Sequence, residues 1–323
     1  LKINLILDGN YLLQRNVFSL HKNNLLYGAL ETSLEMSVNN YRQWFGFENV
    51  YFVSDSKEKS WRKQHYNEYK GNRKKDTDID WEFVYNTYDT FKAKLANKVK
   101  ILEYSQVEGD DWISYIAQTA NKEGISNLIV SNDYDIKQLI KYELDPLWIN
   151  IMSNEVYTNQ KIFLPENYQI FLDKVKSAAI NNDIFTLSND GEFLGMVASF
   201  MERYEVNEVN ATESLVIKLI SGDAGDNILS VWALEKNGKR RGIGGAGAKS
   251  LYDTYELEFG DVDINADDFL DNIADLICEK KKLVRSNEFD KIKQNLELNY
   301  KIINLSLENI PQDIINKIET QIK

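Results

Sequence analysis

The chain has one cysteine, Cys278, two histidines, His21 and His65, and three prolines in 323 residues. A single cysteine excludes an internal disulfide framework and any paired-cysteine zinc site, and it fits a reducing cytoplasm. Two histidines leave few nitrogen donors for a zinc hydrolase. No apolar stretch approaches the ~20 residues that span a bilayer, and the opening Leu-Lys-Ile-Asn-Leu-Ile-Leu-Asp run is too short for a signal peptide. These absences lead us to expect a soluble cytoplasmic protein without a membrane partner. Internal repeats and low-complexity linkers are also missing, so domain boundaries are soft. With 43% hydrophobic residues the chain can bury a sizeable core.

Positive charge is scarce on average, since the formal net charge is −12, which ordinarily argues against a polyanionic partner. Its distribution argues otherwise. Between Lys57 and Lys75 stand Lys57, Lys59, Arg62, Lys63, Lys70, Arg73, Lys74 and Lys75 against only Glu58 and Glu68; between Lys236 and Lys249 stand Lys236, Lys239, Arg240, Arg241 and Lys249 with no acid. Either island can be a solvated loop. Trp61, Tyr66 and Tyr69 interleave with the first, where they stack on unpaired bases or hold the segment against its domain.

Negative charge is gathered into short motifs, most of them at the end of an apolar run. They are Ile6-Leu7-Asp8-Gly9-Asn10, Phe52-Val53-Ser54-Asp55, Val107-Glu108-Gly109-Asp110-Asp111, Val130-Ser131-Asn132-Asp133-Tyr134-Asp135 and Gly222-Asp223-Ala224-Gly225-Asp226-Asn227. Carboxylates crowded in a low-dielectric cleft repel one another, and hard divalent cations offset that repulsion. Magnesium or manganese fits best. Seen singly, Asp8 can be a turn residue, Asp226 a helix cap and Glu108 to Asp111 a charged helix start.

The first half alternates apolar runs and helical patterns: Ile3 to Leu7, then a helix from about Leu25 to Phe45; Val50 to Val53, then a helix from about Trp81 to Leu95; Val99 to Leu102, then a helix from Glu108 to Ala120; and finally Leu128 to Val130. This rhythm predicts an α/β fold with a mostly parallel central sheet, helices on both faces, and ligands at the carboxyl ends of the strands. From about Leu164 onward the pattern is largely helical, with helices expected at Thr212 to Ile220, Asp267 to Lys282 and Glu288 to Ile302.

The run Gly242-Ile-Gly244-Gly-Ala-Gly247-Ala-Lys249-Ser formally matches GxGxxG. A dinucleotide fingerprint needs a preceding strand, whereas Lys239-Arg240-Arg241 reads as a hydrophilic lead-in. A glycine hairpin between two helices, offering bare backbone and helix amides to a phosphate, is the better expectation.

Taken in order, Asp8, Asp55, Tyr69-Lys70-Gly71-Asn72-Arg73, Glu108-Gly-Asp-Asp, Asp133-Tyr-Asp135, Gly-Asp223-Ala-Gly-Asp226 and the glycine hairpin resemble the flap endonuclease superfamily of structure-specific 5′-nucleases. The likeness is strongest to its bacteriophage T4-type ribonuclease H and 5′-3′ exonuclease members. It covers Leu1 to about Tyr142 and about Thr212 to the end. The resemblance implies a PIN-like nuclease core at 1–145 with a basic helical arch at about 57–80. It further implies a helical lobe at 212–323 with a helix-three-turn-helix at about 228–258; segment 146–211 has no readable role.

By position, the resemblance implies that Asp8, Asp55, Glu108, Asp110 and Asp111 surround a first Mg2+ or Mn2+ and that Asp133, Asp135, Asp223 and Asp226 surround a second. Asp8 and Asp133, with Lys70 and Arg73 at the scissile phosphate, are the implied catalytic set. Arg62, Lys63, Tyr69, Lys70, Arg73, Lys239, Arg240, Arg241, Gly242, Gly244, Gly247 and Lys249 are the implied DNA contacts, with K+ at the helix-three-turn-helix. The implied activities are 5′-3′ exonuclease, flap endonuclease and ribonuclease H action by two-metal phosphodiester hydrolysis, leaving a 5′-phosphate and a 3′-hydroxyl. The implied substrates are flapped or branched DNA and RNA–DNA hybrids, in removal of RNA primers during phage replication. The implied partners are a single-strand DNA-binding protein and a sliding clamp, around a monomeric enzyme. Because the Lys57 to Lys75 segment holds few aliphatic residues, it is expected to be mobile without DNA.

Two rival readings are a PIN-class metal-dependent ribonuclease, against which the glycine hairpin speaks, and a non-catalytic branched-DNA-binding protein, against which the intact acids speak. A phosphatase reading of Asp8-Gly-Asn10 fails because the second acid is Asn10.

Overall fold

The computed structural model describes residues 2–43, 46–141, 147–150, 152–158, 204–236 and 239–322. Most of segment 146–211, including the helical reading from Leu164, lies outside the described residues, as does Phe45. In chain order the elements are β1 (Ile3–Asp8), α1 (Gly9–Lys22), α2 (Leu26–Arg42), β2 (Asn49–Val53), α3 (Arg62–His65), α4 (Trp81–Leu95), β3 (Lys100–Leu102) and α5 (Gly109–Lys122). There follow β4 (Ser126–Val130), a 3-10 turn at Tyr134–Leu139, β5 (Leu147–Asn150), β6 (Glu155–Thr158), β7 (Glu205–Glu208) and α6 (Ala211–Ser221). The last are β8 (Ala233–Lys236), β9 (Lys239–Gly242), α7 (Gly245–Phe259), α8 (Phe269–Lys280), α9 (Arg285–Ile303) and α10 (Gln312–Ile322).

The chain forms two compact units, and they do not follow it linearly. One comprises Leu1–Glu58, Asp76–Val209 and Ile310–Lys323; the other comprises Lys59–Lys75 and Asn210–Asn309.

The first unit is built on a seven-stranded sheet of order β3-β2-β1-β4-β5-β6-β7. Every neighbouring pair is parallel except β5 with β6. This is the mostly parallel α/β fold expected from the strand–helix rhythm. Alternation along the strands sends Leu5, Leu7, Phe52, Leu128 and Val130 into one core with residues of α1, α2 and α4. On β1, β2 and β4 packs α5, whose Trp112, Ile113 and Ile116 are buried, and α10 packs against α5. At the amino-terminal side, Asn49 Nδ2 donates to Asn4 Oδ1 at 3.0 Å and Asn4 Nδ2 to Asn127 Oδ1 at 3.1 Å. These side chains bridge β2, β1 and β4, and a one-residue slip would break both bonds, so they pin the strand register.

Helix α1 departs from expectation, since no helix was read before about Leu25. It begins directly after β1 because Asp8 caps it, accepting from Tyr11 N at 3.0 Å. Gly9 is the residue that lets this happen: a Cβ there would collide with Phe52, the Tyr88 hydroxyl and the Val53 carbonyl.

The second unit is a helical lobe in which α6 packs on α7 and α9, and α8 packs on α7 and α9. Its core contains Leu215, Leu219, Leu251, Phe269, Ile277, Ile292 and Leu296, and also Tyr69 from the basic segment. That segment is anchored at Trp61 and Arg62 and again at Tyr69, while Gly71 to Lys75 are exposed. Trp61 and Arg62 are each 2% exposed and Tyr69 is 3% exposed. Two aromatic rings supply the anchorage that the missing aliphatic residues do not. The glycine run also departs from expectation, because Lys239–Gly242 is a strand, paired antiparallel with β8. It lies in a two-stranded ribbon rather than in a buried parallel sheet, so the dinucleotide fingerprint still lacks its context.

Candidate metal centre and nucleic-acid interface

The carboxylates of the first unit converge because of strand register. Asp8 ends β1 opposite Val53 of β2, and Leu7 lies opposite Val130 of β4. Asp55 and Asp133 therefore leave the carboxyl ends of the two strands that flank β1, where the sheet order reverses direction and α/β folds gather their ligands. The amino terminus of α5 adds Glu108, Asp110 and Asp111.

Each acid is held in place. Asp8 Oδ2 accepts from the Ser131 hydroxyl at 2.7 Å, and that same hydroxyl oxygen accepts from Asp133 N at 3.1 Å, so one serine couples the two acids. Asp55 Oδ1 accepts from Gly109 N at 2.7 Å, tying β2 to the first turn of α5. Asp133 Oδ1 accepts from Asp135 N at 2.8 Å. Glu108 and Asp111 form a capping box in which Glu108 N donates to Asp111 Oδ2 at 3.0 Å.

Burial pushes the Asp8 carboxyl up to about 6, with the charges of Asp55 and Asp133 adding to it, while the Tyr11 amide and Ser131 hydroxyl oppose it. The donors are all hard oxygens, and the anion at their centre costs energy without a cation, so the set fits a divalent ion such as Mg2+ or Mn2+. Among the described residues no three acids, histidines or cysteines already stand as a formed ligand set.

Asp223 and Asp226 belong to the second unit, on a tight loop closed by Asp223 N to Ile228 O at 2.9 Å and Ile228 N to Asp223 O at 2.7 Å. Gly222 makes the turn at φ +73°, and a Cβ there would strike the Ile228 and Leu229 carbonyls. Neither acid stands as a bare carboxylate. Lys218 Nζ lies 2.7 Å from Asp223 Oδ2, and Arg73 pairs with Asp226. Burial raises the Asp223 carboxyl, but Lys218 and the amides of Gly225 and Asp226 outweigh it and hold it below the usual carboxylate range.

The segment Glu68–Arg73 clasps this loop. Lys70 N donates to Asp226 O at 2.8 Å, Asn72 Nδ2 to Ala224 O at 2.7 Å, and Asn227 Nδ2 to Glu68 O at 2.8 Å. Lys70 takes a left-handed φ of +54° there, with its ammonium 5.0 Å from the Tyr69 ring centroid.

Two expected DNA contacts are corrected. Arg62 is buried, and its Nε donates to Ile302 O at 2.9 Å; Tyr69 lies in the helical core. Both serve packing, because α3 lies against α9 and Tyr69 joins the helical core. Lys63 and Lys70 are half-buried and Arg73 and Arg241 exposed. Gly242, Gly244 and Gly247 are exposed at the entry to α7. Lys249 lies 2.5 Å from Asp253 and 3.3 Å from Glu213. Sequence reasoning gave no role to Ser131, which stands in the fourth acidic motif and bridges two acids, and it missed Lys218, the partner of Asp223. Ser131 follows β4 directly, the same place that marked Asp8 and Asp55.

The family profile described as "5'-3' exonuclease, N-terminal resolvase-like domain" matches residues 4–168, more than half of the chain. The chain belongs to this family. The 5'-3' exonuclease of Buchnera aphidicola subsp. Schizaphis graminum is 29% identical over 175 residues, which are 52% of this chain and 57% of that protein. The 5'-3' exonuclease of Aquifex aeolicus is 28% identical over 168 residues, 49% of this chain and 54% of that protein. The chain thus spans a little over half the length of these curated relatives. In fold it is similar to the bacteriophage T5 D15 protein co-crystallised with metal ions, at TM-score 0.62 and 16% identity over 99% of this chain and 98% of that one. It is equally similar in fold, at TM-score 0.62 and 15% identity over the same shares, to a T5 D15 flap endonuclease complex with DNA and metal ions.

Proposed function

We propose that this member of the 5′-3′ exonuclease family is a divalent-metal-dependent 5′ nuclease that hydrolyses phosphodiesters. The observation that carries the reading is the convergence of Asp8, Asp55 and Asp133 at the carboxyl ends of three adjacent strands, with Asp8 destabilised as an anion chiefly by burial and further by the charges of Asp55 and Asp133. The resemblance to T4-type ribonuclease H supports flapped DNA and RNA–DNA hybrids as substrates, and RNA primer removal in a phage replisome with its single-strand-binding protein and clamp as the setting.

The chemistry that two divalent ions supply when bound at such a site is activation of water at neutral pH and neutralisation of charge on the phosphodiester. Asp8, Asp55, Glu108, Asp110, Asp111, Asp133 and Asp135 would hold them; Asp223 and Asp226 are further ligands that only the family resemblance implies. Ser131 orients Asp8 and Asp133 together. Lys70, placed by its strained backbone, offsets charge that gathers on the phosphoryl oxygens, and Arg73 assists when it leaves Asp226 for phosphate. Arg241 and the glycines at the start of α7 offer exposed charge and backbone to the duplex, with K+ as the proposed ion of that motif.

The test uses one labelled flap and one labelled RNA–DNA hybrid, each with and without Mg2+ or Mn2+. Asp133→Asn is expected to abolish turnover while DNA binding is kept or tightened, because one negative charge near the phosphate is removed. Lys70→Ala is expected to keep metal binding and slow single-turnover cleavage roughly a hundredfold or more. Near-normal cleavage by Asp133→Asn in magnesium would overturn the metal-nuclease reading.

A further inference from the structure

The acids at the end of β4 are separated by an aromatic residue that the proposed chemistry leaves unused. Tyr134 lies between Asp133 and Asp135 and is 46% exposed. Its neighbours are the opposite: Trp148 is 0% and Tyr157 5% exposed, and their rings stack at 4.4 Å with an interplanar angle of 20°. Tyr134 stands on this buried pair, 5.3 Å from Trp148 at 80° and 6.1 Å from Tyr157 at 75°. Its hydroxyl donates to Glu155 Oε2 at 3.2 Å. Lys137 completes the group, with its ammonium 4.9 Å from the Tyr134 centroid.

A tyrosine recruited only for packing would be covered as Trp148 and Tyr157 are. This ring is instead buttressed from below and tethered at its tip, while nearly half of it meets solvent. Such fixation matters energetically, since a pre-oriented ring loses little rotamer freedom when a ligand lands on it. Aromatic faces accept any base by stacking, and an adjacent ammonium suits the phosphate of the same nucleotide. We propose that Tyr134 is the stacking platform for the nucleobase that flanks the scissile phosphodiester, with Lys137 as the cation beside it. The proposal rests on the nuclease reading for the identity of the phosphodiester.

An oligonucleotide carrying 2-aminopurine at its 5′-terminal position provides the probe, read first by fluorescence in EDTA and then by cleavage in Mg2+. Wild-type protein is expected to quench the probe. Tyr134→Leu is expected to lose the quench and raise KM about tenfold, in line with removal of one base–aromatic stack. Tyr134→Phe, which keeps the ring and drops the Glu155 tether, is expected to retain the quench and stay close to wild type. An abasic site at the same position should cost wild type the same factor and cost Tyr134→Leu nothing further. Equal quenching by Tyr134→Leu, or an equal abasic penalty in both proteins, overturns the proposal. Absence of cleavage by wild type on every substrate would instead overturn the nuclease reading, and the EDTA quench would still decide whether Tyr134 stacks on a base.

Discussion

Asp8 shows how one residue stores the demand for a cation. Its carboxyl is raised from 3.8 to about 6 in the fold, chiefly by burial. A raised folded-state pKa contributes stability that is fully present below the unfolded value and lost as pH rises through the folded one. In metal-free protein this contribution therefore fades between about pH 4 and pH 6, and above that range Asp8 is a buried anion. Asp8→Asn is expected to raise the melting temperature of metal-free protein at pH 7.5 by about 2 °C or more, since ~1 kcal/mol moves a protein of this size by about that much. The gain should shrink toward zero near pH 4, and stabilisation by added Mn2+ should be lost; scanning calorimetry at both pH values checks the sign. Gly9→Ala tests the neighbouring position. Its methyl would strike Phe52, Tyr88 and Val53, at a cost of about 1–3 kcal/mol for an overpacked core. A urea midpoint indistinguishable from wild type would mean that α1 can shift away from β2.

At the scale of elements, the clasp between Glu68–Arg73 and the Gly222–Ile228 loop explains how two short polar segments keep a defined shape. Asn72 and Asn227 each supply one side-chain bond to backbone across it, worth about 1 kcal/mol apiece. Asn72→Ala and Asn227→Ala are expected to speed amide hydrogen exchange across Gly222–Ile228 several-fold while leaving α6 protected, which mass spectrometry of that peptide would detect.

This clasp is also where sequence reading ran out. Asp8, Asp55 and Asp133 were legible because each follows an apolar run that ends a parallel strand. The pairing of Asp226 with Arg73 and the burial of Arg62 and Tyr69 depend on contacts between segments far apart in the chain, which leave no local pattern. Helix α1 was hidden because Asp8 ends the strand and caps the helix at once, leaving no linker to mark the boundary. Strand β7, Glu205–Glu208, carries too few apolar residues for alternation to show.

For the whole molecule, the proposed function asks how a chain of net charge −12 would bind a polyanion. Its charge is segregated along the sequence. Ser250 to Glu279 contains ten acidic residues and neither lysine nor arginine, directly after the basic stretch that ends at Lys249. Such a surface repels phosphate, so affinity must come from the basic islands, and its salt dependence reports how many phosphates they neutralise. Arg241 is exposed on the β8–β9 ribbon just before the glycines of α7. Replacing Lys239, Arg240 and Arg241 together by Ala is expected to weaken duplex binding and to flatten the slope of log K against log salt by up to about three units, roughly one for each phosphate no longer neutralised. The cleavage rate at saturating enzyme should survive, because these residues act on the duplex and not on the reacting phosphate. As a control, Asp261→Asn with Asp263→Asn should tighten binding slightly through reduced repulsion while leaving the slope near wild type, since neither asparagine neutralises a phosphate. Fluorescence anisotropy from 50 to 200 mM salt separates these outcomes. A triple variant with an unchanged slope would mean that the island faces solvent, and the duplex-binding cations would then have to be sought on the other basic segment, at Lys63, Lys74 and Lys75.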